Sequence, residues 1–333
     1  MITSFGSRAV GLLLGQLFDL LLGDPRRHHP VAWLGRLALG LERVVYRPQR
    51  WRGVVYTGVL VGGVVGVGGV VEWLTRRHPA AHALATALAT WTVLGGTSLV
   101  REGRAMSALI ERAPETADGL GPARARLGHL CSRDATHLGR DELARATVES
   151  VAENTSDAVV APLWWGAVAG VPGLLGYRAV NTLDAMVGYR SERYREFGWA
   201  SARLDDLANL VPARVCALVT VLCAPLVGGS ARAAVDAWDR DAPHHPSPNA
   251  GPVEATFAGA LGVRLGGTNH YDGVDEDRGT LGSGRPVEVA DVARATRLSR
   301  AVGIVSGLAA AGAVVFGAGA ERGGVVRIGA VAS

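Results

Sequence analysis

The chain has 333 residues, of which 48% are hydrophobic and 19% charged, with 45 glycines and a formal net charge of +4. All 34 of its basic residues are arginine, and without lysine no Gly-Lys-Ser/Thr phosphate loop can form. The arginines are scattered instead of gathered on one basic face, which argues against a nucleic-acid partner. Cys131, Cys216 and Cys223 show no Cys-x-x-Cys spacing, so neither a zinc site nor a disulfide framework is expected, and Cys216 and Cys223 read as packing residues.

In chain order, the first apolar segment covers 9–22. It carries Asp19 and runs into Gly-Asp-Pro-Arg-Arg-His-His-Pro-Val at 23–31 without a small-residue cleavage site, so it reads as an uncleaved membrane helix. Segment 53–73 is long enough to cross a bilayer. Its Gly58, Gly62 and Gly66 lie four apart, a stripe of small residues that lets another helix approach. No strand-to-helix turn surrounds them, so they are not a nucleotide-binding loop. A turn at 76–79 leads into a second span at 80–100, and further apolar stretches cover 158–175, 207–227 and 301–320. Polar regions lie between them at 24–52, 101–157, 176–206 and 228–300. The predicted fold class is all-α: a polytopic integral membrane protein with four to six membrane segments in one domain over 1–333, and no β-sheet domain.

Arginine placement predicts orientation. Region 24–52 holds seven arginines and 101–145 holds eight, against two in the 76–79 turn. The positive-inside rule puts the first two in the cytoplasm and the turn outside. If 158–175 crosses fully, the chain changes sides there; if Gly-Val-Pro-Gly at 170–173 is a tight bend, the segment dips in and returns as a re-entrant helical hairpin. The bend is favoured, since irregular backbone at that depth is tolerated when buried in protein. The eight arginines of 228–300 then need a further return of the chain.

The frame Asn-Thr-x-Asp-Ala-x-Val occurs at 154–160 and again at 181–187. Before the first copy, Glu149, Glu153 and Asp157 are four apart, hence on one helical face with slight drift. Carboxylates carried toward apolar surroundings must be paired, protonated or bound to a metal. Oxygen-rich ligands without sulfur suit Mg²⁺, and Glu153, Asp157, Asp184, Asp205 and Asp206 are the candidate ligands. Asn181 and Asp184 are helix neighbours, flanked by Arg178, Arg190, Arg193, Arg195 and Arg203, whose forks suit phosphate. The repeat predicts that Asp157 and Asp184 face one cavity. Trp164, Trp165, Tyr189, Tyr194 and Trp199 read as membrane-interface anchors. In the stretch 244–267, prolines and glycines exclude a regular helix until after Pro252. His245, Ser247 and Asn249 are expected to fix that loop by hydrogen bonds, and Glu254 falls in the first turn of the helix that follows.

Four stretches together resemble the CobD/CbiB family over about residues 10–320: "GDPRRHHPV", "DATHLGRDELARATVESVAENTSDAVVAPLWW", "NTLDAMVGYRSERYREFGWASARLDDLANLVPAR" and "HPSPNAGPVEATFAGALGVRLGG". The resemblance implies a multi-pass cell-membrane ligase of cobalamin biosynthesis, of the adenosylcobinamide-phosphate synthase type. It implies an amide bond between the free carboxyl of adenosylcobyric acid and aminopropanol or its phosphate, with ATP and Mg²⁺ as cofactors. Further implied partners are the lipid bilayer and a complex with later cobalamin-assembly membrane enzymes. Catalytic candidates for that chemistry are Glu149, Glu153, Asp157 and Asp184. Substrate-binding candidates are Asn154, Arg178, Asn181, Arg190, Arg193, Arg203, His245, Asn249 and Glu254, with the polar catalytic loops in the cytoplasm. The competing readings are a membrane transporter built on the two repeated elements and a non-enzymatic sensor like the AmpE proteins.

Overall fold

The computed structural model describes residues 4–24, 29–114, 119–131, 133–189, 191–271 and 274–329, with side chains omitted at 269–276 and beyond 317. Six helical stretches are long and apolar enough to cross a membrane: Phe5–Leu22, Arg50–Thr75, Pro79–Glu111, Arg140–Val187, Trp199–Val227 and Val289–Gly317. The fold is all-α and polytopic, as the apolar runs predict. The chain divides into two compact units, one of Met1–Leu94, Ala161–Asp205 and Val305–Ser333, the other of Gly95–Val160 and Asp206–Ile304.

The first unit contains α1 (Ser4–Leu22), α2 (Pro30–Val45), α3 (Arg50–Thr75), α4 (Pro79–Val93) and α8 (Ala161–Val187). Leu12 of α1 is fully buried and shares a core with Val93 of α4 and Leu174 of α8. α8 is not one rod. Gly170 sits at φ +64°, outside the helical range, and Pro172 follows inside the first turn of the second arm. A Cβ placed on Gly173 would fall 2.1 Å from the Trp165 carbonyl oxygen. On a continuous helix residues eight apart are about 12 Å apart, so the chain reverses here and α8 is a helical hairpin. This is the dip that Gly-Val-Pro-Gly predicts. The reversal is sealed by Glu72 of α3, whose Oε2 accepts the Val171 N–H at 3.0 Å. Its Oε1 accepts from Arg8 Nη2 at 3.0 Å and lies 2.9 Å from His82 Nε2. An anion at a helix start, itself held by a guanidinium and an imidazole, satisfies backbone that lipid could not.

Two sequence expectations change in these helices. Gly58, Gly62 and Gly66 meet nothing within 4 Å, so the stripe faces away from the chain's own helices. The close approaches on α3 are at Gly53, against the Phe197 backbone, and Gly68, against Pro172. The 80–100 run is not one helix: α4 ends at Val93, Leu94 is extended, and α5 (Gly96–Glu111) begins beyond it.

The second unit contains α5, α6 (Gly121–Leu127), α7 (Arg140–Thr155), a π-helical turn at Ser156–Val160, the later part of α9 (Trp199–Cys223), α10 (Ala231–Asp241), α11 (Ala250–Leu261) and the start of α12 (Val289–Gly329). Met106, Ile110, Leu127 and Leu143 form the core that joins α5, α6 and α7. Every residue of α11 is buried. It starts at Ala250, two residues before Pro252, because a first-turn proline gives up no helical hydrogen bond. Glu254 therefore lies beyond the first turn, not in it. A small sheet of order β2-β1-β3 was not expected. β1 (Val263–Tyr271) and β2 (Val274–Leu281) are antiparallel, and β1 meets β3 (Arg285–Pro286) in parallel. It decorates the helical body and does not alter the fold class.

Candidate functional site

The first Asn-Thr-x-Asp copy lies in the second unit, among buried charges. Glu149 of α7 is 2% exposed. One carboxylate oxygen takes Arg133 Nη2 at 2.6 Å; the other takes Arg145 Nη1 at 3.2 Å and the Gly266 N–H at 2.8 Å. Arg145 also donates to the Gly266 carbonyl, tying α7 to β1. A buried carboxylate needs that full shell of donors, and Glu149 has it.

Glu254 of α11 is the contrasting case. It is fully buried. Its Oε1 is 3.5 Å from Arg278 Nη1 and 3.9 Å from His245 Nε2, and its Oε2 has no hydrogen-bond partner. Burial pushes its carboxyl well above the ordinary glutamate value, and the negative charges of Glu149 and Glu153 push the same way; Arg278 and Arg133 oppose them. Burial thus drives Glu254 toward its neutral form, whereas Glu149 in the same cluster is surrounded by donors.

Around them, Glu153 and Asn154 are half-buried on α7, and Asn154 Nδ2 donates to the Ser150 carbonyl at 2.9 Å. Asp157 sits half-buried in the π-turn. π-Turns inserted in helices recur at functional sites. His245 Nδ1 lies 3.1 Å from the Ser247 amide nitrogen and 3.2 Å from its carbonyl oxygen, and Nε2 faces Glu254 at 3.9 Å. Asn249 donates to the Asp206 carbonyl at 2.8 Å and accepts from Arg214 Nη1 at 3.3 Å. These are the loop-fixing bonds expected of His245, Ser247 and Asn249.

The second copy lies in the first unit. Arg178 Nη1 reaches Asn181 Oδ1 at 3.5 Å, and Asn181 Nδ2 reaches Asp205 Oδ1 at 3.5 Å. Among the described residues, Arg178 is the one charge lining an apolar groove of about 570 Å³ among α2, α3, α4 and α8. Asp184 folds back at the end of α8, its Oδ1 within 1.9 Å of where a Cβ on Gly188 would lie. Arg193 is already engaged, pairing with Glu42 at 2.9 Å and stacking on Tyr46 at 4.2 Å from the ring centre. Arg203 is exposed, and Arg190 lies outside the described residues.

Among the described residues, no three His, Cys, Asp or Glu side chains converge closely enough to hold a metal alone. The expected ligands Glu153, Asp157, Asp184, Asp205 and Asp206 therefore form no preassembled cage. Asp205 receives Asn181, and Asp184 turns back over Gly188. Mg²⁺ usually binds through one or two carboxylates plus substrate phosphates, keeping several waters, and single half-buried acids such as Asp157 fit that mode.

Sequence reasoning missed Arg133, Arg145 and Arg278, which hold the acids, and Glu72. Glu72 had a signal: it is the one acid in the apolar run 53–73.

Residues 12–299 match the family described as CobD/Cbib protein. The chain is 56% identical over 301 residues to "Cobalamin biosynthesis protein CobD" of Mycobacterium tuberculosis strain H37Rv, covering 90% of this chain and 94% of that one. It is 45% identical over 276 residues to the protein of that name from Geobacter metallireducens, covering 81% and 85%. The protein of that name from Chromobacterium violaceum is 39% identical over 320 residues, covering 93% and 98%. No solved structure matches.

Proposed function

Since the chain belongs to the CobD/CbiB family, we propose that it carries out a membrane step of cobalamin biosynthesis: amide formation between the free carboxyl of adenosylcobyric acid and aminopropanol or its phosphate. The observation that carries this reading is the buried cluster of the second unit, where Glu149 is held by Arg133, Arg145 and a backbone N–H while Glu254 is fully buried with one carboxylate oxygen unpartnered. A sensor has no need for so many acid, amide and arginine groups gathered around two matched motifs.

An acid and an amine do not condense unaided in water. Transfer of the ATP γ-phosphoryl group to the corrinoid carboxylate gives an acyl phosphate and ADP. The amine nitrogen then attacks the acyl carbon, phosphate leaves, and the ammonium proton passes to a carboxylate. Mg²⁺, when bound with the phosphates, neutralises charge developing on their oxygens. Asp157, Glu153 and Asp184 are proposed to face the reacting groups. Arg178, Arg203, Asn154 and Asn181 are proposed to bind phosphate and the amide-rich corrin rim. The site is proposed to open to the cytoplasm at the cell membrane.

A gene-deletion strain tests this. Such a strain should grow on supplied adenosylcobinamide but not on adenosylcobyric acid, and this chain should restore growth on the acid. Restoration by an Asp157→Asn, Asp184→Asn double variant as full as by the natural chain would remove the catalytic reading.

A further inference from the structure

The motif Gly-Asp-Pro-Arg-Arg-His-His-Pro-Val at 23–31 has no part in the sites above. Its described residues are nonetheless held in place. Gly23 ends α1 in left-handed backbone, φ +69°. Its N–H donates to the Asp19 carbonyl at 2.9 Å, and its own carbonyl accepts from Trp91 Nε1 of α4 at 2.9 Å. His29 caps α2, its Nδ1 accepting the Val31 N–H at 3.2 Å. The imidazole lies within the fields of both Asp24 and Arg178, so the three groups share one neighbourhood. Pro30 and Val31, which follow His29, line the apolar groove beside Arg178. All of these residues belong to the first unit. The link between α1 and α2 thus delivers a carboxylate and an imidazole to the second Asn-Thr-x-Asp copy, where Arg178 reaches Asn181.

Asp24 stands out in this group. It is half-buried, and its Oδ1 is closed off from solvent with no hydrogen-bond partner among the described residues. A carboxylate oxygen kept from water without a donor is costly, and a catalytic role is one reason a native fold retains such an atom. Burial lowers the His29 imidazole below the ordinary histidine value; Asp24 opposes that shift and Arg178 adds to it. A neutral ring that accepts on Nδ1 carries its proton on Nε2. One acceptor and two donors therefore stand together at the Arg178 side of the groove. They suit a step in which a proton is given up as an anionic group departs. We propose that Asp24 is the proton acceptor of the bond-forming step, with Arg178 and His29 donating to the departing phosphate. The proposal rests on the amide-forming reading and deepens it by naming the base. The amine nitrogen bonds to the acyl carbon, and the carbon–oxygen bond to phosphate breaks with its electron pair going to the phosphate oxygen. The N–H proton moves to Asp24 Oδ1, which returns it to water before the next turnover.

Hydroxylamine separates this step from the activation before it. It is an uncharged nucleophile at neutral pH and captures acyl phosphates as hydroxamates without a protein base. The full chain in lipid nanodiscs is given adenosylcobyric acid, ATP, Mg²⁺ and either aminopropanol phosphate or hydroxylamine, and the corrinoid product is followed by mass spectrometry. Asp24→Asn keeps the shape of the side chain. It should lose amide formation about a hundredfold or more while hydroxamate forms at close to the natural rate. Its residual amide rate should climb about tenfold per pH unit as free amine replaces ammonium. Asp24→Glu, which moves the carboxylate by one methylene, should show the same split at smaller size, and it decides the matter if the asparagine variant does not fold. Equal loss of both products in folded protein overturns the proposal, because Asp24 then serves structure or activation. Amide formation by Asp24→Asn at the natural rate overturns it as well, and leaves the amide-forming reading standing. A natural chain that makes neither hydroxamate nor amide removes that reading and the proposal with it.

Discussion

Burial raises the Glu254 carboxyl well above the ordinary glutamate value, and that has a stability consequence. Its folded-state carboxyl titrates well above the ordinary 4.5, so the folded chain holds a proton that the unfolded chain releases. Stability from this group is complete below about pH 4.5 and declines as pH rises toward the folded value, by about 1.4 kcal/mol per pH unit in that window. Glu254→Gln keeps the neutral shape, so it should flatten this slope. Thermal unfolding across pH checks it; parallel curves for the two proteins contradict it. Asp157→Asn and Asp184→Asn are expected to cut amide formation about a hundredfold or more, some 2.7 kcal/mol of transition-state stabilisation, with unfolding temperature unchanged. A variant that loses activity only in proportion to lost folded protein shows a structural aspartate. Arg193→Lys, by contrast, should leave turnover intact, because Arg193 is more than half exposed and spends its fork on Glu42. A raised KM for either substrate in that variant would return Arg193 to the binding site. Glu149, Glu153 and Asp157 were legible in the sequence as three acids at four-residue spacing. Of their arginine partners, Arg145 sits four residues before Glu149 on α7 and was open to the same spacing argument, whereas Arg133 and Arg278 reach the acids from outside that helix, where spacing along one helix reports nothing.

At the scale of elements, the hairpin of α8 decides how the chain enters and leaves the first unit. Gly170 holds left-handed backbone and has Glu72 Oε2 within 2.7 Å of where a Cβ would lie. Gly170→Ala should therefore cost at least about 1–2 kcal/mol from backbone alone, and more from displacing the carboxylate that caps Val171. The expected result is a lower unfolding temperature in detergent; an unchanged one means that the reversal tolerates a side chain. Here the sequence was informative, because Gly-Val-Pro-Gly combines freedom at φ with a helix-starting proline. The small sheet was less legible. Asp272-Gly273 is a hairpin signal between two runs, but "VRLGG" before it reads equally as the frayed end of an apolar helix. The glycine stripe on α3 misled for a related reason: small residues permit close approach without requiring it.

For the whole molecule, composition and hydropathy sufficed for an all-helical body with six apolar stretches, because lipid demands that each span satisfy its own backbone. The division into two compact units was not legible, since both are assembled from separated stretches of chain. Within the first unit, the hairpin tip lies beside Glu72, near the turn that follows α3, and its second arm runs away from that end. Tyr189 and His78 should then lie on opposite membrane faces. With the native cysteines replaced, a membrane-impermeant thiol reagent should label His78→Cys in intact cells and Tyr189→Cys only after permeabilisation. Labelling of both positions from one side contradicts this placement.

The most direct measurement of the central claim is chemical. Purified chain in lipid nanodiscs is given adenosylcobyric acid, ATP, Mg²⁺ and aminopropanol phosphate, and the corrinoid is read by mass spectrometry. The predicted result is a new corrinoid heavier by the amine less one water, with one ADP released per amide. Unchanged adenosylcobyric acid, from protein that retains its fold and is offered both forms of the amine, would contradict it.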